Sequence, residues 1–337
     1  MTTHPAAQPP TVAGLRVRPY AGSDDLPGIV KVMNAEHEAD RLPWRATREE
    51  LAAEYSHPSD QFDPARDVVV AELDREMVAF GERSWVDTTD GLREYRMGGA
   101  VHPGWRRRGI GTAVLRENEM RSRALAASHE TDRRRVFGLH IGEHQPGRQA
   151  IAERAGYVPV RWFFEMGRAL DELPAMPALP EGIEVRPATA DQMRQIFDAD
   201  VEAFQDHWGG FDASEQSFQR WLDSPSLDLS LLVIAWDGDE VAAGVVNAIY
   251  PAENESLRTR RGWLDSVFTR RQWRRRGVAE ALIVRSLHLL SERGMTTAVL
   301  GVDAENPSGA LRLYERIGFA VEMRGSAHRR PMEPVDP

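Results

Sequence analysis

The chain of 337 residues contains no cysteine. Disulfides, thiolate metal sites and a cysteine nucleophile are thereby excluded. Lysine is almost missing as well: Lys31 is the single one, and every other cationic side chain of this class is arginine. That reads as a coding bias without functional content. No apolar run approaches the roughly 20 residues that a membrane span needs, so no membrane partner is expected. Acidic residues number 52 against 42 basic ones, a formal charge of −10, which argues against nucleic acid as a partner. The start, Met1 to Gly14, is rich in Pro, Ala and Thr and lacks the basic and apolar regions of a signal peptide. It is expected to be a tail, and the protein to be cytoplasmic. His37, His102, His140 and His207 show no metal-ligand spacing, and His144 reads as a loop residue, so no metal is expected.

What the chain does contain is a repeat. Trp105-Arg106-Arg107-Arg108-Gly109-Ile110-Gly111 returns as Trp273-Arg274-Arg275-Arg276-Gly277-Val278-Ala279, 168 positions later. Val17-Arg18-Pro19 returns at the same spacing as Val185-Arg186-Pro187, and Gly156-Tyr157 returns as Gly318-Phe319 after 162. Three matches in one order mean one domain used twice. Apolar periodicity gives each copy the same plan. In the first, strands are expected at Leu15–Tyr20, Val68–Leu73, Val78–Trp85, Tyr95–Val101 and Val136–Ile141. Helices are expected at Asp24–Glu38, Arg48–Tyr55, Ile110–Ala127 and Gln149–Ala155. In the second, strands fall at Ile183–Arg186, Leu231–Trp236, Val241–Tyr250, Trp263–Phe268, Thr297–Val302 and Phe319–Met323. Its helices are Ala190–Phe204, Ser214–Leu222, Val278–Arg293 and Ala310–Ile317. The pattern β-α-α-β-β-β-α-β-α-β is that of an α/β domain with a mixed central sheet flanked by helices. The expected boundaries are residues 15–172 and 183–330, a Pro-rich linker at 173–182, and a tail at 331–337.

The repeated turn carries the chemistry. A helix starting at Val278 has unpaired N–H groups and a positive dipole end. Gly277 and Ala279 permit close approach of a ligand to the backbone, and arginines surround it. Together they suit pyrophosphate. The run Arg133-Arg134-Arg135 lacks this context and reads as a solvated face.

Arg-x-x-Gly-x-Gly/Ala between a strand and a helix resembles the acyl-CoA loop of the GCN5-related N-acetyltransferase (GNAT) family. The stretch Asn306-Pro307-Ser308-Gly309-Ala310-Leu311-Arg312-Leu313-Tyr314-Glu315-Arg316-Ile317-Gly318-Phe319 resembles the family's second motif. The resemblance implies two tandem domains of this fold, acetyl-CoA as acyl donor, and direct transfer to an amine without a covalent acyl-enzyme. It further implies that pantetheine lies in a gap between Trp263–Phe268 and Thr297–Val302, that Asn306 bonds the pantetheine arm, and that Tyr314 protonates the departing thiolate. The donor set so implied is Val267, Phe268 and Thr269 on the strand, then Arg274, Arg275, Arg276, Gly277, Val278, Ala279 and Glu280 in the turn, and Arg316. The first copy supplies Val101, Arg106, Arg107, Arg108, Gly109, Gly111 and Thr112.

An amine must lose a proton before it attacks, which needs a base. Asp265 is the candidate: strict alternation sets it on one face with Trp263 and Val267, opposite Leu264, Ser266 and Phe268. A carboxylate paired with an arginine is the other reading, and both stand at this point. Matching Gly156 to Gly318 sets Ala152 against Tyr314 and His144 against Asn306. The first copy is therefore expected to be degenerate and the second to catalyse. For the acceptor, Asp198 and Glu202 share a helix face and stand near Trp208 and Tyr250, a combination suited to an organic cation. Ordinary surface for the carboxylates and core packing for Phe204 and Trp221 compete with that reading. The expected partner is a small-molecule amine. A peptide acceptor and a non-catalytic acyl-CoA sensor are the alternatives. The expected assembly is a monomer whose halves form an internal pseudo-dimer, or a homodimer.

Overall fold

Arg16–Pro19 and its counterpart Ile183–Arg186 lie at opposite edges of one twelve-stranded sheet. The computed structural model describes residues 12–306 and 308–333. Most of the expected N-terminal tail, Pro307 and the last four residues lie outside the described residues. The first half runs β1 (Arg16–Pro19), α1 (Leu26–Ala39), α2 (Arg48–Tyr55), α3 (Pro64–Asp67), β2 (Val68–Leu73), β3 (Glu76–Asp87), β4 (Leu92–Val101), α4 (Ile110–Ala127), β5 (Arg134–Gly142), α5 (Pro146–Arg154) and β6 (Val158–Ala169). The second runs β7 (Ile183–Arg186), α6 (Met193–Phe204), α7 (Glu215–Leu222), β8 (Leu232–Asp237), β9 (Glu240–Ala248), α8 (Pro251–Leu257), β10 (Arg261–Thr269), α9 (Val278–Glu292), β11 (Thr297–Asp303), α10 (Ala310–Ile317) and β12 (Ala320–Pro331).

Helices cover both faces of the sheet, as the pattern of elements requires. In the second half α9 buries Leu282, Ile283, Leu287 and Leu290 against Leu264, Ala298 and Leu300. On the other face Ile196 and Phe197 of α6 and Phe218 of α7 pack on Ile234, Trp236 and Val246. The first half repeats the arrangement, with Ile29 and Val32 of α1 on one face and Ile110 and Val114 of α4 on the other. Each fully buried aliphatic side chain contributes about 1.5–3 kcal/mol, so these helices are fixed by packing. The Pro-rich linker is laid on the second core through Leu173 and Leu179.

The strand order β1-β2-β3-β4-β5-β12-β6-β11-β10-β9-β8-β7 holds a feature absent from the sequence reading. The last strand of each half pairs with the other half: β12 lies beside β5, and β6 beside β11. β6 closes the repeated plan of the first half but was given no range from the sequence, because Val158–Ala169 shows no clean alternation. It has neighbours on both sides, and its ladder slips where Arg161 faces Ala327 and Pro159 faces His328, a place that tolerates a missing N–H. β12 runs on to Pro331 and Met332 is buried, so the last strand is longer than Phe319–Met323 and the tail shorter than 331–337. Ion pairs pin the exchanged strands. Arg161 of β6 makes two bonds to the buried Asp303 of β11, at 2.9 and 2.8 Å. Arg329 of β12 bonds the buried Glu94 of β4 at 2.9 Å.

Candidate active site

β10 and β11 are parallel and pair from Arg261–Thr297 to Leu264–Leu300. Beyond that they part: β10 continues to Thr269 against β9, and β11 to Asp303 against β6. The gap opens between Asp265 and Gly301, and a Cβ built on Gly301 would have nothing within 4 Å. The register of β10 against β9 shifts between Leu264 and Ser266, which makes Asp265 the bulged residue. This corrects the alternation argument. Leu264 packs towards α9, whereas Phe268 packs towards α6 and Ser266 bonds a residue of α6. The bulge has turned the strand over.

Two carboxylates flank the bulge. Asp265 accepts a hydrogen bond from the Tyr250 hydroxyl at 2.7 Å. Its side chain reaches solvent at the mouth of the gap, yet the protein crowded around it pushes its pKa up to about 6, against the lowering effect of Tyr250. Asp200 of α6 accepts from the Ser266 hydroxyl at 2.8 Å, and burial pushes it up to about 7. Neither has an arginine within ion-pair distance among the described residues. Sequence reasoning passed over Asp200 for its neighbours Asp198 and Glu202, and the structure separates those two from the gap. Asp198 is exposed beside Arg194 at 3.7 Å, and Glu202 is bonded by Arg270 at 2.7 Å. The helix period grouped them correctly but could not tell which face met the strand.

Tyr314 of α10 is buried in the core cluster of α9 and β11, edge-on to Phe319 with ring centroids 6.0 Å apart. Burial pushes its hydroxyl well above the ordinary tyrosine value, so it stays protonated. α9 begins after Gly277, whose φ of 83° puts it in the left-handed region, and no side chain caps the helix. Its first N–H groups therefore remain available to an anion, and a Cβ on Gly277 would also meet open space. Val278 is buried beneath the turn, with Ala279 in the first helical turn. Arg275 and Arg276 are exposed. Arg274 differs from expectation: it bonds the Thr269 and Ala203 carbonyls, both at 3.0 Å, and Asp206 at 3.2 Å. It braces the turn against β10 and α6. Arg316 in the last turn of α10 pairs at 3.1 Å with Glu280 in the first turn of α9, and the Asn306 side-chain oxygen accepts from the Ser308 N–H at 2.9 Å. Val267 packs towards α9 and Phe268 is core.

The first half has a gap of its own. β4 and β5 pair as far as Met97–Leu139, after which β4 continues to Val101. Gly109, with φ 86°, caps α4 as Gly277 caps α9. A cavity of about 460 Å³ lies along this turn, reaching Val101, Arg106, Arg107, Gly109, Gly111 and Thr112. Arg106 is held by Asp40 at 2.6 and 2.9 Å, and Arg108 lies over the Trp105 ring at 4.6 Å. Ala152 is fully buried where Tyr314 stands in the other half, and His144 is an exposed loop residue. The first half thus lacks that hydroxyl but has the cleft. Trp208 belongs to this half's surroundings as well: it lies 6.0 Å from the Phe163 ring and under Arg329, away from Asp265. Trp221 packs, tilted, on Phe197 and Phe218 at the margin of the core. Among the described residues no helix is long and apolar enough to cross a membrane, and no group of three His, Cys, Asp or Glu could hold a metal.

Comparison with known proteins agrees with this anatomy. The model of the acetyltransferase (GNAT) family matches twice, at residues 30–157 and 192–319. A mycothiol acetyltransferase of Salinispora arenicola is 29% identical over 80% of this chain and 82% of its own length. A mycothiol acetyltransferase of Mycobacteroides abscessus is 28% identical over 68% of this chain and 73% of its own. A GCN5-related N-acetyltransferase from Sphaerobacter thermophilus superposes with a TM-score of 0.68 at 26% identity, covering 96% of this chain and 98% of that one.

Proposed function

The chain belongs to the GNAT family and is an acyl-CoA-dependent N-acetyltransferase built as a tandem repeat, and we propose that its C-terminal half transfers acetyl to a primary amine of a small molecule. The observation that carries this reading is Asp265, a carboxylate of raised pKa at the point where β10 and β11 part. Acetyl-CoA supplies an acyl group activated as a thioester. The uncapped start of α9 with Gly277 and Ala279 would hold its pyrophosphate, and the gap beside Gly301 its pantetheine arm. Asp265 takes the proton from the amine as nitrogen attacks the acyl carbon. Tyr250 orients that carboxylate and limits the rise of its pKa. The Tyr314 hydroxyl, protonated throughout the neutral range, delivers a proton to the leaving sulfur.

The similarity to two mycothiol acetyltransferases favours a small acceptor over a peptide. The test is an acetyl-CoA turnover assay on a panel of amino sugars, amino-acid derivatives and short peptides. Turnover confined to small amines is expected. Turnover confined to peptides or protein N-termini overturns the acceptor class.

A further inference from the structure

The donor cleft of the first half does not end at the sheet. On the α1–α2 face a second cavity, of about 790 Å³, reaches the same three residues, Met97, Gly98 and Leu139, at which β4 and β5 part. Its walls come from both halves. Tyr55, Phe62 and Trp85 belong to the first, and Trp208, Gly209 and Gly210 cross over from the segment between α6 and α7. That segment can make the crossing because both glycines have positive φ, 94° and 74°. At Gly210 a Cβ would lie 2.4 Å from the Asp87 carbonyl oxygen, so only glycine fits.

The charges facing this cavity do not cancel evenly. Asp212 is paired with Arg220 at 2.7 Å, and Glu94 is bonded by Arg329 at 2.9 Å. Arg83 shares Asp67 with Arg66 and bonds the Arg66 carbonyl, its Nε and Nη1 having no hydrogen-bond partner among the described residues, and Arg96 bonds the Gly209 carbonyl. Glu54 and Glu82 remain without an ion pair among the described residues. Glu82 has the Tyr55 hydroxyl at 3.5 Å and nothing closer, and its carboxylate lies over Gly98, where a Cβ would come within 2.9 Å of Oε1. Burial raises the pKa of both carboxyls, Glu54 raises Glu82 further, and Arg148 and Arg220 only partly offset this. Aromatic walls around two unmatched carboxylates favour an occupant that is cationic at one end and apolar along its body.

We propose that this cavity is a second ligand site, for an organic ammonium ion, with Glu82 and Glu54 holding the charged nitrogen and the aromatic walls the remainder. With Ala152 in place of the proton-donating tyrosine, the site binds an amine without completing transfer to it. It is separate from the acceptor position beside Asp265 in the second half.

The test is calorimetric titration of the full chain with 2-phenylethylamine, with the neutral 2-phenylethanol as control. Saturable binding of the amine is expected, retained in Asp265→Asn and weakened at least roughly tenfold in Glu82→Gln. The alcohol is expected not to compete. Gln keeps the shape of Glu and removes a desolvated charge, so a urea midpoint at least equal to the parent's will show that Glu82→Gln is folded. Binding that is lost in Asp265→Asn but unchanged in Glu82→Gln overturns the proposal and leaves a single acceptor site in the second half. Equal affinity for the alcohol, or no saturable binding up to on the order of 10 mM, overturns it as well, and neither result touches the role of Asp265.

Discussion

The Tyr250 hydroxyl donates to the Asp265 carboxylate at 2.7 Å, across the step between the end of β9 and the bulge of β10. The bond opposes the desolvation of Asp265 by the protein crowded around it, which otherwise raises its pKa. Tyr250→Phe removes the opposing effect, so the acid limb of kcat/KM moves from about 6 to higher pH by roughly 0.5–1 unit. Asp265→Asn removes the limb and lowers kcat by about 10²–10⁴-fold. The pH–rate profiles of both variants check this pair.

In the proposed mechanism Tyr314 acts on the leaving group and not on donor binding. Tyr314→Phe keeps the ring that packs against Phe319 and loses only the hydroxyl. It is expected to lower kcat by about 10²-fold with an unchanged acetyl-CoA dissociation constant. Parallel calorimetry and turnover measurements separate the two quantities.

Asp200 gives a pH signature in stability. Its carboxyl titrates at about 7 when folded against an ordinary 3.8, so between these values the folded chain binds more protons than the unfolded one. Stability therefore falls as pH rises through that window and levels off above it. Asp200→Asn leaves stability at pH 4 unchanged and raises it at pH 8 by about 4 kcal/mol, while a smaller slope from Asp265 persists. Urea midpoints across pH 4–8 report the difference.

The exchanged strands make the halves interdependent. Arg161→Ala leaves the buried Asp303 without its two bonds and is expected to cost about 3 kcal/mol or more. A chain ending at Phe319 lacks β12, which exposes the edges of β5 and β6. Such a chain is expected to lose cooperative unfolding in both halves, as read by circular dichroism.

The duplication made most of the fold legible, because the repeated turn and the apolar periods locate the same elements twice. The strand exchange was not legible: β6 and β12 occupy equivalent places in two similar halves, and a local pattern cannot say which half's edge a strand will join. The bulge was not legible either, since alternation assumes an unbroken ladder and Asp265 interrupts it. Asp265 was singled out as a carboxylate in an apolar strand and Tyr314 from its motif; the structure sets the first where β10 and β11 part and buries the second. Asp200 was missed because the helix period grouped Asp198 with Glu202 and could not rank the faces. Trp208 was misplaced because only the positive-φ pair Gly209-Gly210 carries its loop into the other half. Arg274 was read from its charge and its place in the motif, and three protein oxygens already claim its guanidinium.

The central claim is that transfer occurs in the second half. It is tested most directly by placing a carboxylate in each anion turn, Ala279→Glu at the start of α9 and Gly111→Glu at the start of α4, and measuring kcat/KM for acetyl-CoA with the best small amine. A loss of about 100-fold or more in Ala279→Glu, with Gly111→Glu within a few-fold of the parent, is the predicted result. Full activity in Ala279→Glu with loss in Gly111→Glu would contradict it and move the reaction to the first half.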